Sequence, residues 1–292
     1  MAASLLILGE RCHPYPHARS SITVTRDIVN SAVRAQLSIT HNSMVNLTII
    51  IPVFNGGELL KAALASFSDQ LNSDDEVIIV DDGSTDNAVK MALTTVPLIC
   101  RVKVLRQKNE GVASALNTGF KNAKSERLVW LSHDDEFLPG ALAFFRKFHD
   151  IFPKKLSCTA FAVGEGSSHF RKTYYLKNHL GKNHCLNVLG TGRFFAATIS
   201  IPKAFYKEMQ FEQNLLHCQD SHMWLSIKPE YWEFSDIKTA LHRLHPNQSS
   251  KRGNLEAKAE YRALVKSNIC GIFRIVCIAD ALNLIRLIRN FI

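Results

Sequence analysis

The chain has no run approaching the roughly 18 uncharged apolar residues that a membrane-spanning helix requires. Its early apolar patch, Ala2 to Leu8, has no basic residue ahead of it and is followed at once by Glu10 and Arg11, so it lacks the charged start and the length of a secretory signal. Seven cysteines (Cys12, Cys100, Cys158, Cys185, Cys218, Cys270, Cys277) are scattered with no CxxC spacing. That excludes a disulfide framework and predicts reduced, mostly buried thiols. A zinc site at His217 and Cys218 is disfavoured, because neighbouring residues on a strand point to opposite faces. No GxGxxG follows the first strand and no GxxxxGK[ST] occurs, so hydride transfer and ATP hydrolysis have no motif behind them. A net charge of +9 predicts anionic partners. Without aromatic and basic residues interleaved on a recognisable module, it does not predict nucleic-acid binding. The expected location is cytoplasmic, either soluble or peripheral on the inner face of the membrane.

What the chain does have is two carboxylate pairs, each at the end of a short apolar run. Asp81-Asp82 closes "VIIVDDGSTD" and Asp134-Asp135 closes "LVWLSHDD". Runs of this kind read as strands buried on both faces, which places each pair where a central strand emerges into a loop. Adjacent carboxylates repel unless a cation, hydrogen-bond donors or water compensate. One such pair is an ordinary solvated turn, whereas two at strand ends of one sheet point to a site.

Residues 1–45 show no sustained period and are an extension ahead of the domain. From Leu47 to Val53 runs the first strand, followed by Phe54-Asn55-Gly56-Gly57. Asn55 with Glu58 resembles a capping box, and Leu60, Ala63, Leu64 and Phe67 mark a helical face. Further strands are predicted at Glu76–Val80, Val102–Leu105 and Arg127–Leu131, with helices between them. Ser84 or Asp86 is positioned to cap the second helix, and Pro139 fits the first turn of the helix bearing Leu142, Phe145 and Phe148. Alternating units of this kind specify an α/β fold with a mostly parallel central sheet and helices on both faces, and ligands bind such sheets at the carboxyl ends of the strands. Both acid pairs lie on that rim.

Beyond residue 155 the pattern loosens. Strands are expected at Leu156–Val163 and Phe194–Ile201, a polar stretch at 164–192, and a helix from Pro202. Asp220 precedes the apolar helical face of Met223, Trp224 and Ile227, and His242 and His245 fall in a polar loop. Residues 251–292 carry eight Lys or Arg against three Asp or Glu. Their helical spacing of apolar pairs fits either packing against the domain or a basic interfacial helix, with 263–292 contacting an anionic membrane.

Taken in order, "TIIIPVFNG", "DEVIIVDDGSTDN", "LRQKNEGVASALNTGFKNAKSERLVWLSHDDEFLPGAL", "CQDSHMWL" and "HRLHPNQSS" resemble the family 2 inverting glycosyltransferases. The resemblance covers residues 46–250. It implies a GT-A fold, with a Rossmann-like nucleotide-binding half at 46–155 and a smaller acceptor and catalytic-base half at 156–250. It also implies transfer of a sugar, with inversion, from a UDP- or dTDP-sugar to a glycan or lipid-linked acceptor in polysaccharide or cell-surface glycan synthesis. By the same resemblance Mn²⁺ or Mg²⁺ is held at Asp134, with His245 approaching the metal or diphosphate. Asp82 reads the base, Pro52 and Phe54 line the uridine pocket, and Asn55, Asn109, Gly111, Asn117 and His133 complete the nucleotide-sugar site. Asp220 matches the base that deprotonates the acceptor.

Two positions depart from the family pattern. Ser132 stands where the usual Asp-x-Asp has its first acid, which lets His133 be recruited to the metal, and Gln219 replaces the Glu usually found beside the base. Both departures motivate an alternative, a non-catalytic nucleotide- or glycan-binding protein. A sugar-1-phosphate nucleotidyltransferase shares the βα pattern but needs an N-terminal Gly-rich loop followed by Arg and Lys, which the Pro52–Gly57 segment lacks.

Overall fold

The computed structural model describes residues 45–166, 170–175, 183–191, 194–246, 248, 255–268 and 278–291. The extension at 1–44, Cys12, Cys270, Cys277 and the apolar pairs Ile272/Phe273 and Ile275/Val276 lie outside the described residues.

The first sheet is built from β1 (Leu47–Val53), β2 (Glu76–Asp81), β3 (Arg101–Arg106), β4 (Arg127–Trp130) and β8 (Ser200–Pro202), in the order β3-β2-β1-β4-β8. The first four strands pair in parallel and β8 runs antiparallel on the edge. Helices α1 (Gly57–Ala65), α2 (Ala88–Thr95) and α3 (Val112–Asn122) link the parallel strands, and α4 (Ala141–Ile151) follows them. Alternation along each strand decides which helices cover which face. Ile49, Ile51, Val77, Ile79 and Val129 face Leu60, Leu64, Leu142 and Phe145 on α1 and α4. Ile50, Ile78, Val80, Leu128 and Trp130 face Leu116 and Phe120 on α3. With both faces dry, the strands read as continuous apolar runs. Gly119 lets α3 approach closely, since a Cβ there would lie 2.7 Å from an Ile50 side-chain carbon.

A second sheet, ordered β5-β9-β6-β7, is formed by β5 (Glu136–Phe137), β6 (Leu156–Gly164), β7 (Phe170–Tyr174) and β9 (Trp232–Arg243). Here sequence and structure diverge. β9 replaces the expected loop around His242 and pairs in parallel with β6 from Leu156↔Trp232 to Gly164↔Arg243, with register shifts at Thr159–Phe161. The polar stretch at 164–192 contains β7 and a helix, α5 (His184–Thr191), and Phe194–Ile201 holds a single 3-10 turn before β8. Pro139 lies ahead of α4, whose N-cap is Gly140 in the left-handed region (φ 82°). Short α6 (Lys203–Tyr206), then α7 (Gln219–Ser226), α8 (Leu255–Ser267) and α9 (Ile278–Phe291) complete the described helices.

The C-terminal helices pack on the domain. Asp280 accepts from Asn183 N (2.9 Å), Asn283 Nδ2 donates to Asn187 Oδ1 (3.0 Å), and Tyr261 OH donates to the Leu189 carbonyl (2.7 Å). Leu287 of α9 is buried, while Leu282, Ile285 and Ile288 on its outer side remain 44–49% exposed. No described helix is long and apolar enough to cross a membrane. The four described cysteines, Cys100, Cys158, Cys185 and Cys218, are all free thiols.

At the opposite end of the first sheet from the acid pairs, the buried Asp75 carboxylate pairs with Arg146 of α4. It also accepts from Leu47 N and Asn72 N, each at 2.8 Å. This network ties the start of β1 to the helix layer.

Candidate active site

The strand order reverses between β1 and β4, because the chain moves outward through β2 and β3 and then returns to the other side of β1. In open parallel sheets the crevice at such a switch point is where ligands bind, at the carboxyl ends of the strands. Three loops meet there: Phe54–Gly56 after β1, Asp82–Asn87 after β2 and Leu131–Asp135 after β4.

The first two loops are tied together. Asn55 has a positive φ of 51°, and its side-chain Oδ1 accepts from Thr85 N (2.8 Å) while its backbone N–H donates to Ser84 Oγ (2.9 Å). The expected capping box with Glu58 does not form. Gly56 is the N-cap of α1 without a side-chain cap bond, because the Asn55 amide is turned to the β2 loop. Asp86 accepts from Gly57 N (3.0 Å) and from Ala88 N (3.2 Å) at the start of α2. Pro52 is buried inside β1 and Phe54 is 44% exposed beside it.

Within the first acid pair the two carboxylates have different tasks. Asp81 accepts from Ser84 N (2.8 Å) and lies 3.6 Å from the Arg106 guanidinium. Asp82 is buried and accepts from Gln107 Nε2 (2.9 Å), Glu110 N (3.0 Å) and Gly111 N (2.8 Å). It therefore anchors the 107–111 loop that carries exposed Asn109. Gly83 makes the close approach possible. Its φ is +79°, and a Cβ there would sit 2.8 Å from Asn109 N. Gln107, which the sequence reading passed over, also receives the Thr118 hydroxyl on its Oε1 (2.8 Å).

The carboxylates of the first pair are both buried, whereas those of the second also differ in burial. Asp135 is buried and receives Arg243 N (3.1 Å) and the His242 Nδ1 contact (3.0 Å). Burial pushes the Asp135 carboxyl up, with His242 and Arg243 N–H opposing. For His242 burial alone acts downward, but the bond to Asp135 and the charges of Asp135 and Asp134 outweigh it and hold the imidazole raised. His242 is thus a half-buried strand residue, not a solvated loop residue as expected. Asp134 reaches outward instead and meets His245, Oδ2 to Nε2, at 3.0 Å. Beside them, His133 packs against Gly56, where a Cβ would lie 3.4 Å from His133 Cδ2.

Among the described residues no group of three or more His, Cys, Asp or Glu is placed to hold a metal ion. The Asp134–His245 pair does fit a divalent cation that takes further oxygens from a ligand. The carboxylate is a donor suited to Mn²⁺ or Mg²⁺, and the imidazole favours the transition metal of the two.

Asp220 lies in the first turn of α7, half-buried, with Oδ1 accepting from Ser221 N (2.6 Å). Burial pushes its carboxyl above the usual range against the pull of the Ser221 and local backbone donors. Next to it, Gln219 Oε1 is buried without a hydrogen-bond partner among the described residues. An aromatic wedge holds α7 to β4. The Trp130 and Trp224 rings stack at 5.6 Å with an interplanar angle of 21°, and Phe211 closes edge-on to Trp130 at 5.2 Å. Asn117 of α3 clamps this wedge, its amide bonding both the Phe211 carbonyl (2.9 Å) and the Phe211 N–H (2.7 Å).

The family described as Glycosyl transferase family 2 matches residues 48–229 of this chain, which takes in β1 through α7. The chain belongs to that family. Relatives of this family 2 glycosyltransferase include an uncharacterised glycosyltransferase of Rickettsia typhi, 28% identical over 231 residues, or 75% of this chain and 70% of the relative. Another is the uncharacterised glycosyltransferase YibD of Escherichia coli, 35% identical over 98 residues, 34% of this chain and 28% of YibD. Against a longer relative from Rickettsia bellii the chain spans 31% of the length. Among solved structures, Staphylococcus aureus TarS (residues 1–349) in complex with UDP-GlcNAc superposes with a TM-score of 0.62 at 15% identity, covering 84% of this chain and 72% of that one. A mannosyltransferase from Pyrobaculum calidifontis in complex with GDP-Man and Mn²⁺ gives 0.50 at 14% identity, covering 93% and 83%. At these identities the likeness establishes the fold, and the fold of this family 2 glycosyltransferase is the GT-A arrangement of a mostly parallel sheet with flanking helices.

Proposed function

We propose that the chain transfers a sugar, with inversion, from a UDP- or dTDP-linked donor to a glycan or lipid-linked acceptor. The observation that carries this reading is the meeting of Asp134 with His245 on the carboxyl rim at the β1/β4 switch point, separate from the raised carboxyl of Asp220. The two arms supply the two needs of the reaction. Asp134 and His245 would hold Mn²⁺ or Mg²⁺, which when bound supplies positive charge beside the departing diphosphate. Asp220 takes the proton of the acceptor hydroxyl as that oxygen bonds to the anomeric carbon, and the bond from that carbon to the diphosphate oxygen breaks on the opposite face.

Pro52 and Phe54 face the nucleoside at the end of β1, with Asn55 fixing the loop. Asp82 contacts the base and keeps the 107–111 loop folded, so that Asn109 and Gly111 close over the nucleotide. His133 sits beside Asp134 toward the diphosphate, and Asn117 acts through Phe211 as a positioning residue. The replacements at Ser132 and Gln219 leave a metal-binding acid and a base in place, which favours an enzyme over a binding protein. The TarS complexes with UDP-GlcNAc and UDP and the GDP-Man complex of the Pyrobaculum enzyme support a nucleoside diphosphate sugar as donor.

Calorimetry of UDP, GDP and dTDP with and without Mn²⁺ tests the first step. Metal-dependent binding of one of them is expected, and absence of binding by all three overturns the reading. Asp220→Asn should retain that binding and lose transfer.

A further inference from the structure

Just ahead of α7, three successive backbone N–H groups converge on one carboxylate from the C-terminal helices. Leu216 N donates to Glu260 Oε1 (2.9 Å), and His217 N (2.9 Å) and Cys218 N (3.1 Å) donate to Oε2. Consecutive amides that curl round an anion form a stable cradle, and here the anion is a side chain of α8. Burial alone would raise Glu260, but the three N–H donors and the charge of His217 outweigh it and hold the carboxyl below its usual range. The segment so held leads directly into the base. Cys218 is the N-cap of α7, and Asp220 sits in the first turn. Apolar packing backs the contact, since Cys218 clusters with Leu186 and Leu189 of α5, Leu264 of α8 and Leu287 of α9.

We infer that Glu260 is a positioning residue for Asp220: by cradling the 216–218 amides it fixes where α7 begins and how the Asp220 carboxylate is presented. The C-terminal helices then belong to the acceptor side of the site. This rests on Asp220 being the base, as proposed above. The ionisable groups at this turn are His217, Cys218 and Glu260. Burial and the charges of Asp220 and Glu260 push the Cys218 thiol up to about 12, so it stays neutral at working pH.

The test uses the full chain, free of ligand, with Glu260→Ala and Glu260→Gln. The first removes every acceptor contact. The second removes the charge but keeps a carbonyl of the same reach. Amide exchange is followed at Leu216, His217, Cys218 and Ser221, and the Asp220 carboxyl is titrated by NMR, its signal assigned by its loss in Asp220→Asn. Glu260→Ala should speed exchange at all four amides about tenfold and move the Asp220 midpoint down toward the ordinary carboxylate range, with Glu260→Gln intermediate in both.

Faster exchange at 216–218 with Ser221 and the Asp220 midpoint unchanged would show a loop staple and nothing more. Equal Asp220 shifts in both variants would show an effect of charge without position. Either result overturns the inference. If the Ala variant does not fold, Ser221 exchange in the Gln variant decides, unchanged exchange counting against it. Asp220→Asn protein that still transferred sugar would remove the base assignment while leaving these readouts intact, so the two failures are distinguishable.

Discussion

Trp130 and Trp224 stack face to face, 5.6 Å between ring centroids, and through that contact the strand leading to Asp134 is joined to the helix bearing Asp220. Both rings are buried, and Trp224 also meets Trp232 of β9 edge-on at 5.7 Å. Trp224→Ala should cost about 3–5 kcal/mol of stability, as large-to-small aromatic changes in cores do. Trp224→Phe should cost about 1–3 kcal/mol and, on the roles proposed above, lower turnover more than nucleotide affinity, because the substitution falls on the helix bearing Asp220. Urea unfolding beside steady-state kinetics measures both.

Asp134→Asn should weaken Mn²⁺-dependent UDP binding by about tenfold or more, and His245→Gln by about tenfold, in the range seen when metal sites lose a ligand or its support. The same titration on Asp220→Asn protein should match wild type. A common loss in all three would mean that the two arms are not separable.

The pH dependence of transfer follows from the burial of Asp220. The proposed base would act in its ionised form, and its carboxyl is raised above its ordinary value of about 4. Activity should therefore fall as pH drops through that raised value, placing the acid limb of kcat above the ordinary carboxylate range. For stability the sign is opposite: a raised carboxyl favours the folded state most below its unfolded pKa, and that contribution fades as pH rises through the folded one. Asp220→Asn should flatten this part of the stability profile, which chemical denaturation across pH will show.

Asp75 offers a contrast at the far end of the sheet. Asp75→Ala leaves the buried Arg146 guanidinium without its counter-ion and the Leu47 and Asn72 amides without their acceptor. Breaking such a pair costs about 3–5 kcal/mol. Protein that survives should bind nucleotide as wild type does, since the lesion lies at the opposite rim. Thermal melts and calorimetry on one preparation test this.

How much of this was legible in the residues depended on how local the determining physics was. Strands β1, β2 and β4 are buried on both faces, so their apolar runs mark them, and β1 was readable to its ends. β9 was missed because it lies half-buried between two partners with register shifts, which breaks the alternation that would have marked it. The acid pairs were visible as pairs. What each member does was not, because Asp135 is held inward by His242 and Arg243, and Asp82, buried like Asp81, is committed to the amides at 110 and 111, all distant or backbone partners. The same holds for Asn55, whose spacing to Glu58 suggested a cap while its real partners belong to another loop. Glu260 gave no signal, since a single Glu on a charged helix looks like any solvated one.

The five residues 131–135 carry the chain from the first sheet to the second, from β4 to β5. Leu131 N is fastened to the Ile50 carbonyl (2.9 Å) on one side and Asp135 to the Arg243 N–H (3.1 Å) on the other. Asp134 thus sits on a seam, stretched between two independently hydrogen-bonded plates like a clasp between two covers. A shift of β9 against β6 would reach the proposed metal-holding acid through this short tether, so substitutions deep in the second sheet are expected to register as changes in nucleotide affinity measured by calorimetry.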